Sequence, residues 1–200
     1  MRNNITKALL TVAIMALPAL AEATPWTIDA DHSNVGFSVS HLMVSHVKGN
    51  FNKYTGVVDL NDKDITKSNV NVSIDAASIN TNVQKRDEHL RSADFFDVAK
   101  YPTLTFVSKK WARAAKGALK VTGDLTIHGV TREVMLNVAP FSKESKDPWG
   151  NFRRGTSATT TINRKDYGLV WNQALETGGV AVGEDVNISL EVEMVKSQPK

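Results

Sequence analysis

The sequence predicts an all-β protein, an eight-stranded antiparallel β-barrel accompanied by one short helix. Three observations support this prediction. Apolar and polar residues alternate with a period of two over most of the chain, which is typical of half-buried antiparallel strands. A single segment has the start signal and the charge spacing of a helix. About eight strands within roughly 170 residues must close or stack so that their edges are covered, which leaves a β-sandwich as the alternative.

The alternation is clearest in residues 185–194, recurs in residues 69–75, and is weaker in residues 156–162. In the first segment, polar side chains occupy one face and aliphatic side chains the other. A barrel of about eight such strands is just wide enough to be filled by its own side chains or to hold one slender ligand. The inward positions of the first two segments are Val186, Ile188, Leu190, Val192, Met194, Val70, Val72 and Ile74.

Residues 119–138 have the pattern of a β-hairpin centred on His128 and Gly129. A two-residue loop with glycine second is typical of a type I′ turn, which sets the register of both strands. The expected opposite pairs are Ile127–Val130, Val121–Leu136, Leu125–Arg132 and Asp124–Glu133. The last pair is unfavourable because two like charges face each other.

One helix is predicted over residues 83–93. Thr81 and Gln84 have the spacing of a capping box, and Asp87 and Arg91 are spaced for an ion pair one turn apart. The apolar stripe of this helix is thin, so we expect it to lie on the surface or to cap an opening of the barrel as a lid or plug.

The N-terminus has the three parts of a secretory signal peptide. Residues 1–7 are basic, residues 8–21 are almost wholly apolar, and Ala21 and Ala23 supply small residues before the predicted cleavage site. The apolar run is shorter than the roughly 20 residues that a transmembrane helix needs, so no stable membrane anchor is expected. We therefore predict a cleaved signal peptide over residues 1–23, a single mature domain over residues 24–200, and a periplasmic or secreted location.

Composition excludes several functions. The chain has no cysteine, which excludes disulfides, thiol catalysis and cysteine-ligated zinc. The net charge of +3 is spread along the chain, and nucleic acid is not an expected partner. The five histidines lack the HxH and HExxH spacings, and no nucleophile elbow or phosphate-binding glycine loop is present. We expect no metal, no cofactor and no catalytic residue.

Eight segments, in order along the chain, carry a resemblance to a known family: WTIDADHSNVGFSVSHL (26–42), VKGNFNKYTGVVDL (47–60), RDEHLRSADFFD (86–97), KYPTLTF (100–106), TGDLTIHGVT (122–131), DPWG (147–150), INRKDYGLVWN (162–172) and ETGGVAVGEDVNISLEVE (176–193). Over essentially the whole mature chain, the sequence resembles the YceI family. This resemblance implies a lipocalin-like barrel with an elongated internal cavity, usually periplasmic and often dimeric. It implies binding of a long amphiphile, such as a polyisoprenoid, an isoprenoid quinone precursor or a fatty amide, and no enzymatic activity.

A cavity for such a ligand would be lined by inward side chains of the strands and by two phenylalanines that follow the helix. Without the resemblance, a solid core is the better interpretation of the same side chains; the resemblance favours the channel. The two interpretations differ in packing, because a filled barrel leaves no void larger than a water molecule. The predicted channel residues are Phe37, Val39, Phe51, Phe95, Phe96, Phe106, Val121, Leu125, Ile127, Leu136 and Ile188.

Four polar residues are candidates for contact with the ligand's head group. Arg86, His89 and Arg91 lie on the predicted helix, and arginine pairs well with phosphate. His41 ends an alternating run and lies on the same face as Phe37 and Val39, which are expected to point inward. For the three helix residues, the alternative is an exposed surface helix without ligand contact. For His41, the alternative is a histidine whose hydrogen bonds are made within the core.

These observations together predict a periplasmic protein that carries a long-chain isoprenoid amphiphile and forms a homodimer. Two alternatives stay open. One is an enzyme that acts on a quinone or a prenyl lipid, with His89 or His41 as its reactive group. The other is a stress-related structural protein whose barrel is filled by its own side chains.

Overall fold

The computed structural model describes residues 23–176 and 178–197. The predicted signal peptide lies outside these residues apart from Ala23, so its cleavage stays a prediction. In this part of the chain no helix has the length and apolar character needed to cross a membrane. The helix α1 spans Gln84–Arg91. The strands are β1 Thr24–Ile28, β2 Asn34–His41, β3 Ser45–Phe51, β4 Tyr54–Leu60, β5 Asn69–Asp75, β6 Ile79–Asn80, β7 Thr103–Arg113, β8 Leu119–Ile127, β9 Val130–Val138, β10 Ser145–Lys146, β11 Phe152–Asn163 and β12 Val182–Lys196.

The strands form one antiparallel sheet that closes on itself. Following neighbours from β11 through β9, β8, β7, β5, β4, β1 and β12 returns to β11, which makes a ring of eight strands. The predicted barrel is therefore confirmed over the sandwich. The short strand β10 pairs with β11 outside the ring, and β2, β3 and β6 extend the sheet from β12.

The 15-residue strand β12 makes the closure possible. Along one edge it pairs with β11 at eleven consecutive positions, from Arg153↔Val195 to Asn163↔Asp185. Along its other edge it pairs with β2 between Val182 and Glu191 and with β1 between Met194 and Lys196. Strands β1 and β2 thus share one edge of β12, on either side of a single 3-10 turn at Ala30–His32.

The hairpin of β8 and β9 has the predicted register, including Asp124 opposite Glu133. His128 and Gly129 both have positive φ, at 51° and 74°, as a type I′ turn requires. Lys109 on β7 compensates the two negative charges, because its Nζ lies 2.6 Å from Asp124 and 3.5 Å from Glu133. A cation from a neighbouring strand thus neutralises a pair that looks unfavourable within the hairpin alone.

The predicted capping box is wrong. Helix α1 begins at Gln84, its N-cap position is Val83, and no side chain caps it. The backbone N–H and the hydroxyl of Thr81 instead bind the buried carboxylate of Asp87, at 2.8 Å for the N–H. The helix start is held by a carboxylate from its own first turn rather than by the residue before it.

The two ends of the barrel differ. At the end where β1 pairs with β4, which we call the β1 end, the fully buried side chains of Trp26, Leu60 and Met194 close the interior. At the opposite end, the α1 end, helix α1 and a 3-10 turn at Arg164–Tyr167 lie over the strand termini.

The turn between β2 and β3 exposes three apolar residues at the α1 end. Leu42 and Met43 both have positive φ, at 52° and 61°, and Val44 is 82% exposed. Left-handed conformations are unfavourable for such side chains, whereas asparagine and glycine accept them readily. The backbone of the turn is therefore strained at Leu42 and Met43. Both side chains are exposed, so burial of apolar surface does little to offset the strain.

We expect the double substitution Leu42→Asn and Met43→Gly to raise the free energy of unfolding by about 1 kcal/mol, because it relieves two left-handed apolar residues. Chemical denaturation of the mature protein measures the change. Met43→Gly alone is expected to give part of the gain. A loss of stability in the double variant would mean that the packing of the Met43 side chain beside Gly179 outweighs the strain.

Candidate functional site

The ring of strands, together with β2 and β3 that extend the sheet from β12, surrounds an elongated apolar cavity of about 250 Å³. Its wall follows β12 from Val182 to Met194, which is roughly 40 Å of extended strand. A barrel packed to the density of ordinary protein interiors would leave no such void. The interior is therefore hollow, and the alternative of a filled barrel is not what the structure has.

The structure places all eleven predicted channel residues on the wall of this cavity. That they contact a ligand stays a prediction. They come from six strands and from the turn after α1: Phe37 and Val39 on β2, Phe51 on β3, Phe106 on β7, Val121, Leu125 and Ile127 on β8, Leu136 on β9, Ile188 on β12, and Phe95 and Phe96 after the helix.

The turn after α1 holds two aromatic rings against the cavity. Its conformation is set by backbone hydrogen bonds from Phe95 to Ser92 and from Phe96 to Leu90, of 3.1 and 3.0 Å. The Phe96 ring meets that of Phe51 edge-on at 5.8 Å, and Phe51 lies 5.9 Å from Phe37. The predicted role of the helix as a cap agrees with this placement, since Leu90 of α1 also lines the cavity.

Arg86 and Arg91 do not line the cavity. Arg86 donates to the hydroxyl and the carbonyl of Thr81 at 2.7 and 2.9 Å, and Arg91 donates to the carbonyls of Ala77 and Ile79 at 2.7 and 2.8 Å. The predicted Asp87–Arg91 ion pair is therefore wrong, because both side chains have taken partners outside the helix. The two arginines fasten α1 to the chain segment before it.

The histidines also lie off the cavity wall in the described chain. His89 Nε2 is 2.8 Å from a carboxylate oxygen of Asp94, and its ring packs edge-on against Phe95 and Trp171 at 5.1 and 4.9 Å. His41 ends β2, where it is paired with Ser45 of β3. The structure thus separates the four predicted head-group residues from the cavity, and their contact with a ligand stays untested.

Sequence reasoning missed the cationic residue that does line the cavity, Arg164. It is only 4% exposed and opens the 3-10 turn that follows β11. Its guanidinium donates to three backbone carbonyls: to Gly183 from Nε at 2.8 Å, to Val182 from Nη2 at 3.3 Å, and to Leu169 from Nη1. A signal for it was present, because Arg164 follows the inward Ile162 by two residues, and period-two alternation points both to the same face.

The environment of Arg164 is unusual for a charge. Burial lowers the pKa of its guanidinium below the ordinary value for arginine. The nearby carboxylate of Glu184 is paired with Lys165, at 2.5 Å. Among the described residues Arg164 forms no salt bridge, and the other charged residue along the wall, Glu191, is exposed. One buried positive charge therefore lies at the α1 end of the apolar cavity, with its nitrogens turned to backbone carbonyls.

Comparison with known proteins agrees with this architecture. The model of the YceI-like domain matches residues 26–194. A UPF0312 protein of Staphylococcus aureus is 41% identical over 176 residues, which cover 88% of this chain and 99% of that protein. A UPF0312 protein of Vibrio cholerae is 41% identical over 159 residues, 78% of this chain and 84% of that protein.

The chain belongs to the YceI family. Among solved structures, the Campylobacter jejuni YceI protein is similar, with a TM-score of 0.67 and 34% identity over 80% of this chain and 90% of that one. Burkholderia cenocepacia BcnA has a TM-score of 0.73 at 22% identity over 83% of this chain and 98% of that one, which shows a shared fold. The predicted family and the predicted barrel are both confirmed.

A second polar cluster of this YceI protein lies toward the β1 end. Asp29, His32 and Glu193 offer ligand atoms within 4.8 Å of one another, a grouping that a metal ion could use. Arg153, however, already donates to Asp29 and Glu193 through Nη1, at 2.6 and 2.5 Å, and to Asp147 through Nε at 2.8 Å. The carboxylates therefore serve an ion network that ties the loop before β11 to β12 and to the turn after β1.

Asp147 is the member of this network whose contribution to stability should depend most clearly on pH. Arg153 and the neighbouring N–H groups hold the pKa of the Asp147 carboxyl well below its ordinary value of 3.8. Its ionised form therefore stabilises the fold above that ordinary value, and the contribution is lost as the pH falls towards the folded-state pKa. We expect Asp147→Asn to lower the free energy of unfolding at pH 7, and its deficit relative to wild type to shrink as the pH falls from 4 to 2.

Urea denaturation across this pH range measures the difference between Asp147→Asn and wild type. Asp185→Asn is the control, because Asp185 is an exposed carboxylate on β12 outside the network. It should follow the wild-type curve more closely than Asp147→Asn does. A gap between Asp147→Asn and wild type that stays constant from pH 7 to pH 2 would contradict the assignment.

Proposed function

We propose that this protein binds and carries a long-chain isoprenoid amphiphile, with the tail inside the barrel. The elongated, almost wholly apolar cavity is the observation that supports this function. Burying apolar surface is favourable by roughly 25 cal/mol per Å², so a long tail gains affinity along its whole length with few polar contacts. A similar fold, at a TM-score of 0.63 and 19% identity over 86% of this chain and 98% of that one, belongs to a polyisoprenoid-binding domain from Saccharophagus degradans.

The shape of the cavity favours one extended chain over a compact ligand. The apolar wall runs the length of the barrel, and its aromatic side chains Phe37, Phe51 and Phe96 stand in a row at the α1 end. The buried residues Trp26 and Met194 close the β1 end. A ligand with a flexible apolar tail can follow such a space, with its head left near the α1 end.

The proposal includes a periplasmic location and a homodimer. The charged, apolar and small-residue regions of residues 1–23 support export, and the absence of cysteine suits a fold that needs no disulfide in an oxidising compartment. Binding without catalysis is the function we propose. No histidine is among the described residues that line the cavity, so no specific observation favours an enzyme acting on a quinone or a prenyl lipid.

Native mass spectrometry of the protein purified from the periplasm tests the proposal directly. We expect a polypeptide that begins at Thr24, a dimeric complex, and one adduct per chain whose accurate mass after organic extraction fits a prenyl chain. A protein without adduct that stays so after incubation with prenyl lipids would refute isoprenoid carriage. A retained N-terminus would refute export by cleavage.

A substitution that fills the cavity should block the ligand without unfolding the barrel. Ile188→Trp adds a large ring on the inner face of β12, and we expect ligand occupancy to fall at least tenfold while stability changes by about 1–3 kcal/mol at most. Ser189→Trp places the same ring on the outer face of the same strand and should leave occupancy unchanged. Full occupancy in the Ile188→Trp protein would place the tail somewhere other than this cavity.

A further inference from the structure

The ring of eight strands has its weakest junction between β9 and β11. These strands pair at two positions, Val138↔Ala158 and Asn137↔Thr159, which is fewer than any other neighbours in the ring. On their other edges both strands are extensively paired, β9 with β8 over nine residues and β11 with β12 over eleven. Pairing between β9 and β11 therefore stops although both strands continue towards the α1 end.

Continuing the same register would place Met135 opposite Thr161, with one further pair on either side. No such pairs form in the part of the chain that the structure describes. In that register the backbone N–H and C=O groups of Met135 and Thr161 would bond to each other, because hydrogen-bonded pairs recur at every second position of an antiparallel ladder. We call this stretch, residues 133–136 of β9 and 160–163 of β11, the seam.

The seam is bounded at both ends. Towards the β1 end it stops at the pair of Asn137 and Thr159. Towards the α1 end, Nε of Arg132 on β9 donates to the backbone carbonyl of Asp166, just after β11, at 3.2 Å. The five-residue interval from Arg132 to Asn137 corresponds to roughly 17 Å of extended strand. The seam is therefore long enough to follow much of the length of an extended hydrocarbon chain.

Apolar side chains continue from the cavity through the seam to the surface. On the outer face, Met135 is 42% exposed. At the neighbouring closed pair, by contrast, Val138 and Ala158 are buried, at 7% and 6% exposure. Four side chains along the inner face of the seam line the cavity and are only partly buried: Val134, Leu136, Thr160 and Ile162.

The α1 end of the barrel is held more firmly than the seam. Arg86 and Arg91 fasten helix α1 with four hydrogen bonds, the buried carboxylate of Asp87 holds the helix start, and Arg164 fastens the segment after β11. Opening that end breaks such bonds and leaves buried polar groups without partners, which is costly. Parting the described strands at the seam breaks no backbone pair and one exposed hydrogen bond, that of Arg132.

We propose that the apolar tail of the ligand enters and leaves the barrel sideways, through the seam between β9 and β11, while helix α1 stays in place. This inference rests on the proposed function, because it assumes that the cavity holds a long-chain amphiphile. A lateral route suits such a ligand, since the tail leaves along its length instead of being drawn end first through the whole cavity. The bond from Arg132 to Asp166 restrains the opening of the seam.

A route of entry and a binding surface affect different quantities. Closing the route slows association and dissociation by the same factor, so the dissociation constant changes little. Altering a side chain that contacts the bound ligand changes the dissociation constant itself. The test therefore measures rates and affinity on the same protein.

A disulfide across the seam is the direct test, and the chain has no cysteine to interfere. Met135→Cys with Thr161→Cys places two thiols on the outer face of the seam. The probe is cis-parinaric acid, whose fluorescence reports its release from delipidated mature protein into phosphatidylcholine vesicles. We expect oxidation to slow release about tenfold or more with little change in the dissociation constant, and reduction to restore the rate.

The matched control is Asn137→Cys with Thr159→Cys, which places a disulfide on the same two strands where they are already paired. Oxidation of the control should leave the release rate unchanged. Unchanged release from the oxidised seam protein, or equal slowing in the control, would overturn the lateral route.

Geranylgeraniol separates this inference from the proposed function, through its displacement of bound cis-parinaric acid. Slowed release of cis-parinaric acid from the oxidised seam protein, without displacement by geranylgeraniol, would leave the lateral route standing and refute isoprenoid carriage. Binding of neither compound would refute both.

Arg132→Ala covers the case in which the disulfide across the seam does not form. Loss of the bond to Asp166 should speed release of cis-parinaric acid about threefold at a nearly unchanged dissociation constant. Lys120→Ala is the control, because it removes an exposed cation of β8 away from the seam. In wild type, the amide of Met135 should exchange hydrogen faster than that of the paired Asn137. Release from Arg132→Ala at the wild-type rate, or equally slow exchange at both amides, would overturn the proposal.

Discussion

The pairing of β11 with β12 closes the sheet, and the rest of the structure depends on it. Eleven consecutive residue pairs join the two strands, and each satisfies backbone groups that an open sheet would leave on its edges. Strand β12 is long enough to pair with β11 on one side and with both β1 and β2 on the other. Once this ring is closed, its inward faces surround one space, with β2 and β3 completing the wall at the α1 end.

That space is a cavity because the side chains facing it do not fill it. Large side chains gather at the β1 end, where Trp26 and Leu60 are fully buried, whereas the wall of β12 carries aliphatic residues such as Ile188 and Leu190 that stay partly accessible to the interior. Helix α1 and the turn after it supply Phe95 and Phe96 at the other end. The same closure that removes the strand edges thus produces a long apolar compartment.

Arg164 fastens the segment between β11 and β12 at the α1 end of the barrel. The chain between β11 and β12 turns back over the barrel, so that carbonyls of Leu169 and Val182 converge on its guanidinium. Carbonyl dipoles make burial of the charge tolerable but do not neutralise it. Five N–H groups on one side chain let a single residue join several carbonyls, which fastens this segment to the barrel.

The sequence by itself determined the strands of residues 69–75, 156–162 and 185–194, their faces and the β8–β9 register, because period-two alternation and the His128-Gly129 turn act between near neighbours. It also pointed to the residues that line the cavity, since the inward face follows from alternation alone. Only the tertiary structure decided the polar contacts. Lys109 reaches two carboxylates across strands, Arg91 binds carbonyls outside its helix, and Arg164 meets carbonyls up to 19 residues away. Such partners become neighbours only when the barrel closes, so no local pattern specifies them.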